Sequence, residues 1–429
     1  MAHKTARSGY KKLAERLERF PHGITENETM YQIFSVLFTE EEARLLSQLP
    51  IGPFKLSLAM KRWNKTEEET KSILDDMASR AVLLDIYNES GVQYLLPPPM
   101  IGFFEFSMMR IGTHLDQKVL SELFYEYVCN EDEFVTSLMT LDTPLGRALV
   151  QEESIHDNTL YVMDYERASE IINKAKVIGL STCYCRHVKE HLGEDCDAPK
   201  ETCLTISNSG DSSLIRHGYA REISKEEALD IIQLSKEHNL VQFAENVQKN
   251  VSFICNCCSC CCEVLSNVKK HGFTNAINSS NYICEITPQN CTGCSKCINV
   301  CPVGALSLVN STVEGKKKLA VVDEEMCIGC GVCDRSCNFD ALEMMHRESR
   351  VYTPINMNQK LILQAIETNK LQHLIFRDEE KLSHRFLASV LGVILRLPPS
   401  KQLLASEQLR SKYLKKQIQD YNKKKEQLE

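Results

Sequence analysis

The sequence predicts an α+β chain of several units, and three observations predict it. Helix-period runs fill both ends of the 429 residues, an alternating run over 81–96 reads as a β-hairpin, and 18 of the 20 cysteines fall into three bunches between them. Five units follow. Residues 1–106 form a helix-and-hairpin docking domain, 107–180 a helical connector and 181–283 a Cys-rich metal- or cluster-binding domain. Residues 284–350 form a cysteine-repeat domain and 351–429 a helical C-terminal region.

Length allows two or three sizeable cores, and 43% hydrophobic with 25% charged residues is ordinary globular composition. The formal charge of −8 argues against wholesale nucleic-acid binding while leaving a local basic patch open. The first twenty residues are basic without the apolar run of a secretory leader, and no twin-arginine pattern is present. The longest apolar stretch, 386–395, is about half of what a membrane span needs. C-x-C and C-x-x-C spacings read as metal ligation in a reducing compartment. A cytoplasmic protein without a transmembrane segment is therefore expected.

At the N-terminal end, a helical pattern over 29–49 stops at Pro50 and Pro53, and a short basic helix spans 55–63. Thr66 and Glu69 make a capping box for a third helix ending near Arg80. The run AVLLDIYNESGVQYLL turns at 88–91 as a wing. Residues 27–106 thus resemble a winged helix-turn-helix. In that motif the third helix enters the DNA major groove, but here it carries Glu67, Glu68, Glu69, Asp75 and Asp76 against Lys71 and Arg80. Acids facing phosphates oppose the main term in DNA affinity, so a docking module is expected.

Residues 116–179 read as helical, with core aromatics on one face, and 354–429 as helical around Pro398 and Pro399. The tail from 401 holds eight Lys or Arg against four acids, read as a solvated helix face, with a partner or peripheral membrane-surface contact as the minority alternative.

Between them, CTGCSKCINVCP at 291–302 returns thirty-six residues later as CIGCGVCDRSCN. Paired zinc sites have no use for a triplet plus a distant fourth cysteine. The spacing C-x2-C-x2-C-x3-C-P instead resembles the bacterial-type ferredoxin with two [4Fe-4S] clusters, although Asn338 stands where the second run would carry proline. The resemblance covers about sixty residues. It implies one cluster on Cys291, Cys294, Cys297 and Cys337, and a second on Cys327, Cys330, Cys333 and Cys301. Gly293, Gly329 and Gly331 are expected where backbone N–H groups approach cluster sulfide.

Upstream lie Cys183, Cys185, Cys196 and Cys203, then Cys255, Cys257, Cys258, Cys260, Cys261 and Cys262. In an extended chain Cys258, Cys260 and Cys262 would share a face; in a helix Cys257/Cys261 and Cys258/Cys262 would stack. Either way the six split between two directions, which suggests two ligation sites or one large one. The ten thiols permit two four-cysteine sites with two spare, a cluster with a zinc, or a cluster beside a redox dithiol. Metallothionein-like loading is less attractive. His187, His191 and His217 lie near enough to replace a thiolate, and Asn246, Asn250 and Asn256 near enough to donate to sulfur. Cys129 and Cys284 stand apart, the latter expected as a packed thiol.

The expected function is low-potential electron transfer between redox protein partners, with the layout of the multi-cluster proteins of anaerobes. Two alternatives remain. One is a catalytic or activating subunit of an anaerobic oxidoreductase that uses the upstream site. The other is a redox-sensing DNA-binding regulator, which Lys55, Lys61, Arg62 and Lys65 keep alive. No G-x-G-x-x-G fingerprint or P-loop is present, which disfavours flavin, NAD or ATP chemistry within the chain.

Overall fold

The computed structural model describes residues 8–89, 91–112, 115–130, 132–155, 163–378 and 381–396, so the basic tail lies outside the described residues. Near the N-terminus the single helix expected over 29–49 is two, Glu28–Leu37 and Glu40–Ser47. Thr39 is extended between them and closes a capping box with Glu42, which ends one helix and starts the next. Helices Leu56–Trp63 and Glu67–Ser79 follow, the second opened by Thr66 and Glu69. Strands β1 (Leu84–Asn88) and β2 (Gly91–Leu95) pair antiparallel, and Phe54 bridges to Tyr94. Strand β1 also docks on the middle of the chain. Asp85 accepts a hydrogen bond from Ser213 Oγ at 2.5 Å and pairs with Arg216 at 2.8 Å and His217 at 3.1 Å.

The middle, expected as helical and Cys-rich, is built on a six-stranded sheet. Its strands are β3 (Gly146–Ala148), β4 (Val177–Thr182), β5 (Glu201–Ser207), β6 (Arg221–Ile223), β7 (Val241–Glu245) and β8 (Phe253–Cys257). They lie in the order β3-β7-β8-β5-β4-β6, with every pairing antiparallel. The helix expected to run into Gly179 stops at Lys174, and residues from Val177 onward are β4. VIGLST is covered on both faces, so it lacks the alternation by which a strand is read from sequence.

Alternation across the sheet gives its two faces different work. Ile178, Leu180, Leu204, Ile206, Ala244 and Ile254 bury one face against helices Ala168–Lys174 and Lys225–Glu237. Cys203, Cys255 and Cys257 stand on the other. Because β5 runs antiparallel to both β4 and β8, the end of β4, the start of β5 and the end of β8 meet at one edge. Cys183, Cys196 and Cys258 leave the strands there.

Downstream, β9 (Tyr282–Ile286) pairs antiparallel with β12 (Leu342–His346), and β10 (Leu306–Asn310) with β11 (Lys318–Val322). Short helices Lys296–Val300 and Val332–Arg335 sit between them. One hydrophobic core runs from Leu13 to Met344. Helices Met357–Glu367, Leu371–Ile375 and Leu382–Leu395 close the described chain. Among the described residues no helix is long and apolar enough to cross a membrane.

Candidate metal centres

The repeat folds into two thiol-lined cavities. Cys291, Cys294, Cys297 and Cys337 line one. Cys301, Cys327, Cys330 and Cys333 line the other. In each, three cysteines come from one loop and the fourth from the other half of the repeat. The donor set fits a [4Fe-4S] cluster in each cavity, because thiolates are its ligands and backbone donors already point at sulfur. Ala305 N–H donates to Cys301 Sγ at 3.2 Å and Ala320 N–H to Cys291 Sγ at 3.5 Å, the kind of bond that tunes a cluster's potential.

The two cavities differ in setting. Cys294 is exposed, whereas Cys330 and Cys333 are buried. Cys284, expected as a packed thiol, lines the second cavity, and its thiol touches Cys333. No motif spacing marks it; its place follows from the β9–β12 register, which sets it opposite Met344.

Packing gives the glycines a reason beside the expected one. Gly329 has φ +68°, and a Cβ there would lie 2.2 Å from the Tyr282 carbonyl oxygen. Backbone packing and a left-handed conformation therefore demand glycine. Gly329→Ala should cost the second cavity its iron, about four atoms per chain, while the first keeps its own; equal iron in mutant and wild type would refute this.

Upstream, all ten cysteines gather at the sheet edge in two sets. Cys196, Cys258, Cys260 and Cys261 form one, with all four sulfurs within 4.8 Å of one another. The other is a partly buried train, with Cys257 and Cys262 buried and the rest half-buried, in which Cys183 lies beside Cys185, Cys185 beside Cys262, Cys262 beside Cys257, Cys257 beside Cys255 and Cys255 beside Cys203. The run 255–262 thus divides three and three, but neither an extended chain nor a helix sorts it. A single turn does, closed by Cys262 N–H donating to the Cys258 carbonyl at 3.2 Å.

Two helix starts converge on the train. Cys183 caps helix Tyr184–His191 and Cys262 caps helix Glu263–His271. The neighbouring thiol Cys185 lowers the Cys183 pKa, helped by the Arg186 charge and its backbone N–H. Cys185 and Cys257 hold Cys262 well below the usual thiol range, with help from the Leu265 and Val264 N–H groups. Both positions favour thiolate, as helix N-termini do.

Between the sets lies Arg186, which is fully buried. Its Nη1 donates to the Pro199 carbonyl and Thr202 Oγ1, each at 2.9 Å, and its Nη2 to the Asn256 carbonyl at 2.9 Å. Burial alone would lower its pKa, but the charges of Cys183, Cys258 and Cys257 outweigh this and raise it. Sequence reasoning did not single out Arg186, because only the tertiary fold puts it against thiols from β8.

The other expected ligands are engaged elsewhere. His187 Nδ1 lies 2.7 Å from the Met108 carbonyl and its Nε2 3.2 Å from His191; His217 faces Asp85. Asn246 donates to the Pro144 carbonyl and Asn256 to that of Thr202, so neither donates to sulfur. Asn250 has a positive φ in the turn before β8. Burial pushes the Cys129 thiol up to about 12, away from the cysteine bunches in sequence.

A buried hydrogen-bond chain joins the second cavity to the upstream thiols. Gln151 N–H donates to the Cys330 carbonyl at 3.0 Å, and its Nε2 to the Leu240 carbonyl at 3.2 Å. Gln242 Nε2 donates to that same carbonyl at 3.3 Å and to Asn256 Oδ1 at 3.2 Å. Asn256 in turn accepts from Arg186.

Two rings of cysteine sulfur, each closed by a distant fourth residue, have the ligand pattern of an iron–sulfur domain. Residues 290–341 match the family model of the 4Fe-4S dicluster domain. Comparison with curated proteins and with solved structures gives no match. The chain is therefore an iron–sulfur protein of the electron-transfer kind, with a dicluster domain that binds 4Fe-4S clusters.

Proposed function

We propose that the chain is a low-potential electron carrier with two [4Fe-4S] clusters in the dicluster domain and a further one on the upstream thiol train. The ringed pair of cavities carries this reading. Cys291, Cys294, Cys297 and Cys337 would hold one cluster, and Cys301, Cys327, Cys330 and Cys333 the other. The further cluster would draw four ligands from Cys183, Cys185, Cys203, Cys255, Cys257 and Cys262. A bound cluster supplies a one-electron couple. The chain's own residues hold it, shield it and set its charge balance.

Arg186 and the two helix N-termini offset the negative charge of a thiolate-held centre, which favours its reduced form. Cys294 at the surface gives a redox protein partner access to the first cavity. Gln151 links the second cavity to the upstream set. Residues 27–106 suit a winged-helix docking unit better than a DNA reader. The Glu67–Ser79 helix is acidic, and β1 is engaged through Asp85 with Arg216.

Iron and acid-labile sulfide per chain, measured on anaerobically purified protein with EPR of the reduced state, test this. About twelve of each are expected. About eight would remove the third cluster, and fewer than about four sulfides would overturn the whole reading.

A further inference from the structure

The tetrad Cys196, Cys258, Cys260 and Cys261 differs in kind from every other cysteine group in the chain. Cys196 and Cys258 sulfurs lie 3.7 Å apart, Cys196 and Cys261 3.7 Å, and Cys260 and Cys261 3.8 Å. Four thiolates bound to one ion at about 2.3 Å form a tetrahedron with edges of about 3.8 Å. A cubane puts its four thiolates on four separate iron corners and must hold them wider apart. The chain contains its own control. Among the described residues, neither dicluster quartet brings three ligand atoms within 4.8 Å of one another, and the tetrad brings four.

We propose that Cys196, Cys258, Cys260 and Cys261 hold a single tetrahedral metal ion, zinc or iron, and not a cluster. Four soft thiolates in a tetrahedron select these ions. The local fold builds the site from two segments. The turn at 258–261 turns three sulfurs to one side, and its closing bond is Cys262 N–H to the Cys258 carbonyl. Cys196 arrives on the loop before β5, which Lys200 secures to Glu190 at 2.5 Å and to Asp195 at 3.4 Å. The ion locks that turn. It thereby sets the directions of Cys257 and Cys262, which flank the turn, are buried and belong to the train.

The test compares the full chain, purified anaerobically, with the double variant Cys196→Ser/Cys260→Ser. Zinc, iron and acid-labile sulfide are counted per chain, and X-ray absorption is read at the edge of the metal lost. The variant should lose one metal atom and no sulfide. The wild-type spectrum should give four sulfurs at about 2.3 Å with no neighbouring metal. Zinc loss names zinc, and loss of one iron without sulfide names iron. Loss of iron and sulfide together in equal numbers would overturn the proposal in favour of a cluster. So would unchanged metal content, or thiol titration of metal-free wild type showing these cysteines as disulfides. Should the double variant not fold, a chromogenic chelator on the wild type decides. Release of one ion with four newly titratable thiols supports the site, and release of none refutes it. A chain without any sulfide would sink the electron-carrier reading and leave this ion count standing.

Discussion

Cys330→Ser is expected to strip about four irons and four sulfides from the chain and to loosen the segment around them, whereas Cys294→Ser loses or converts one centre with little loosening. The difference lies in what each cavity supports. Cys330 is buried, its carbonyl accepts from Gln151, and the carbonyl of adjacent Gly331 accepts from Ser154 Oγ at 3.0 Å. Thiolate-held centres return binding free energy to folding, about 10 kcal/mol or more for structural zinc sites. Emptying the second cavity therefore weakens both the repeat and its seam with the sheet. Cys294 is solvent-exposed and carries no such seam. Metal and sulfide counts with limited proteolysis check both variants. Equal protease resistance in the two would refute the asymmetry. Loss of all iron from Cys294→Ser would mean that the metal sites fold as one unit.

Lys360→Met should destabilise the chain by about 3–5 kcal/mol. Lys360 Nζ lies 2.9 Å from Glu245 Oε1, with side chains only 4% and 1% exposed. This pair joins helix Met357–Glu367 to β7, at the opposite end of that strand from the Val241–Cys257 pairing. Removing the ammonium leaves Glu245 with Ser252, whose N–H and Oγ donate to it at 3.2 and 2.8 Å. Those neutral donors, with the Arg147 charge acting from farther off, compensate the buried negative charge only in part. The double variant Lys360→Met/Glu245→Gln should recover much of the loss, because no unpaired charge remains. Hydrogen exchange on β7 and the helix is the readout. A double variant as weak as the single would show that packing, and not charge, joins them.

Several elements were legible because their determinants are local. The capping boxes at Thr66/Glu69 and Thr39/Glu42 reach three residues, and the hairpin turn lies within its own strands. Only the first of those boxes was read from the pattern. The second, with the extended Thr39, broke an expected helix in two. Strands β4 and β7 of the six-stranded sheet escaped because they are covered on both faces, which removes the period-two signal. Cys284 escaped for a different reason, since a single cysteine carries no spacing.

The sequence by itself determined the cysteine repeat, its chemistry and the number of upstream thiols, since ligand type and spacing are written residue by residue. Only the tertiary structure decided how those ten thiols divide. Cys196 meets Cys258 across sixty-two positions, and adjacent Cys257 and Cys258 part company at one turn. Strand pairing and turn closure set such directions, and both depend on residues far away in the chain. The same holds for Arg186, whose charge matters because β5 and β8 bring the Thr202 hydroxyl and the Asn256 carbonyl to it.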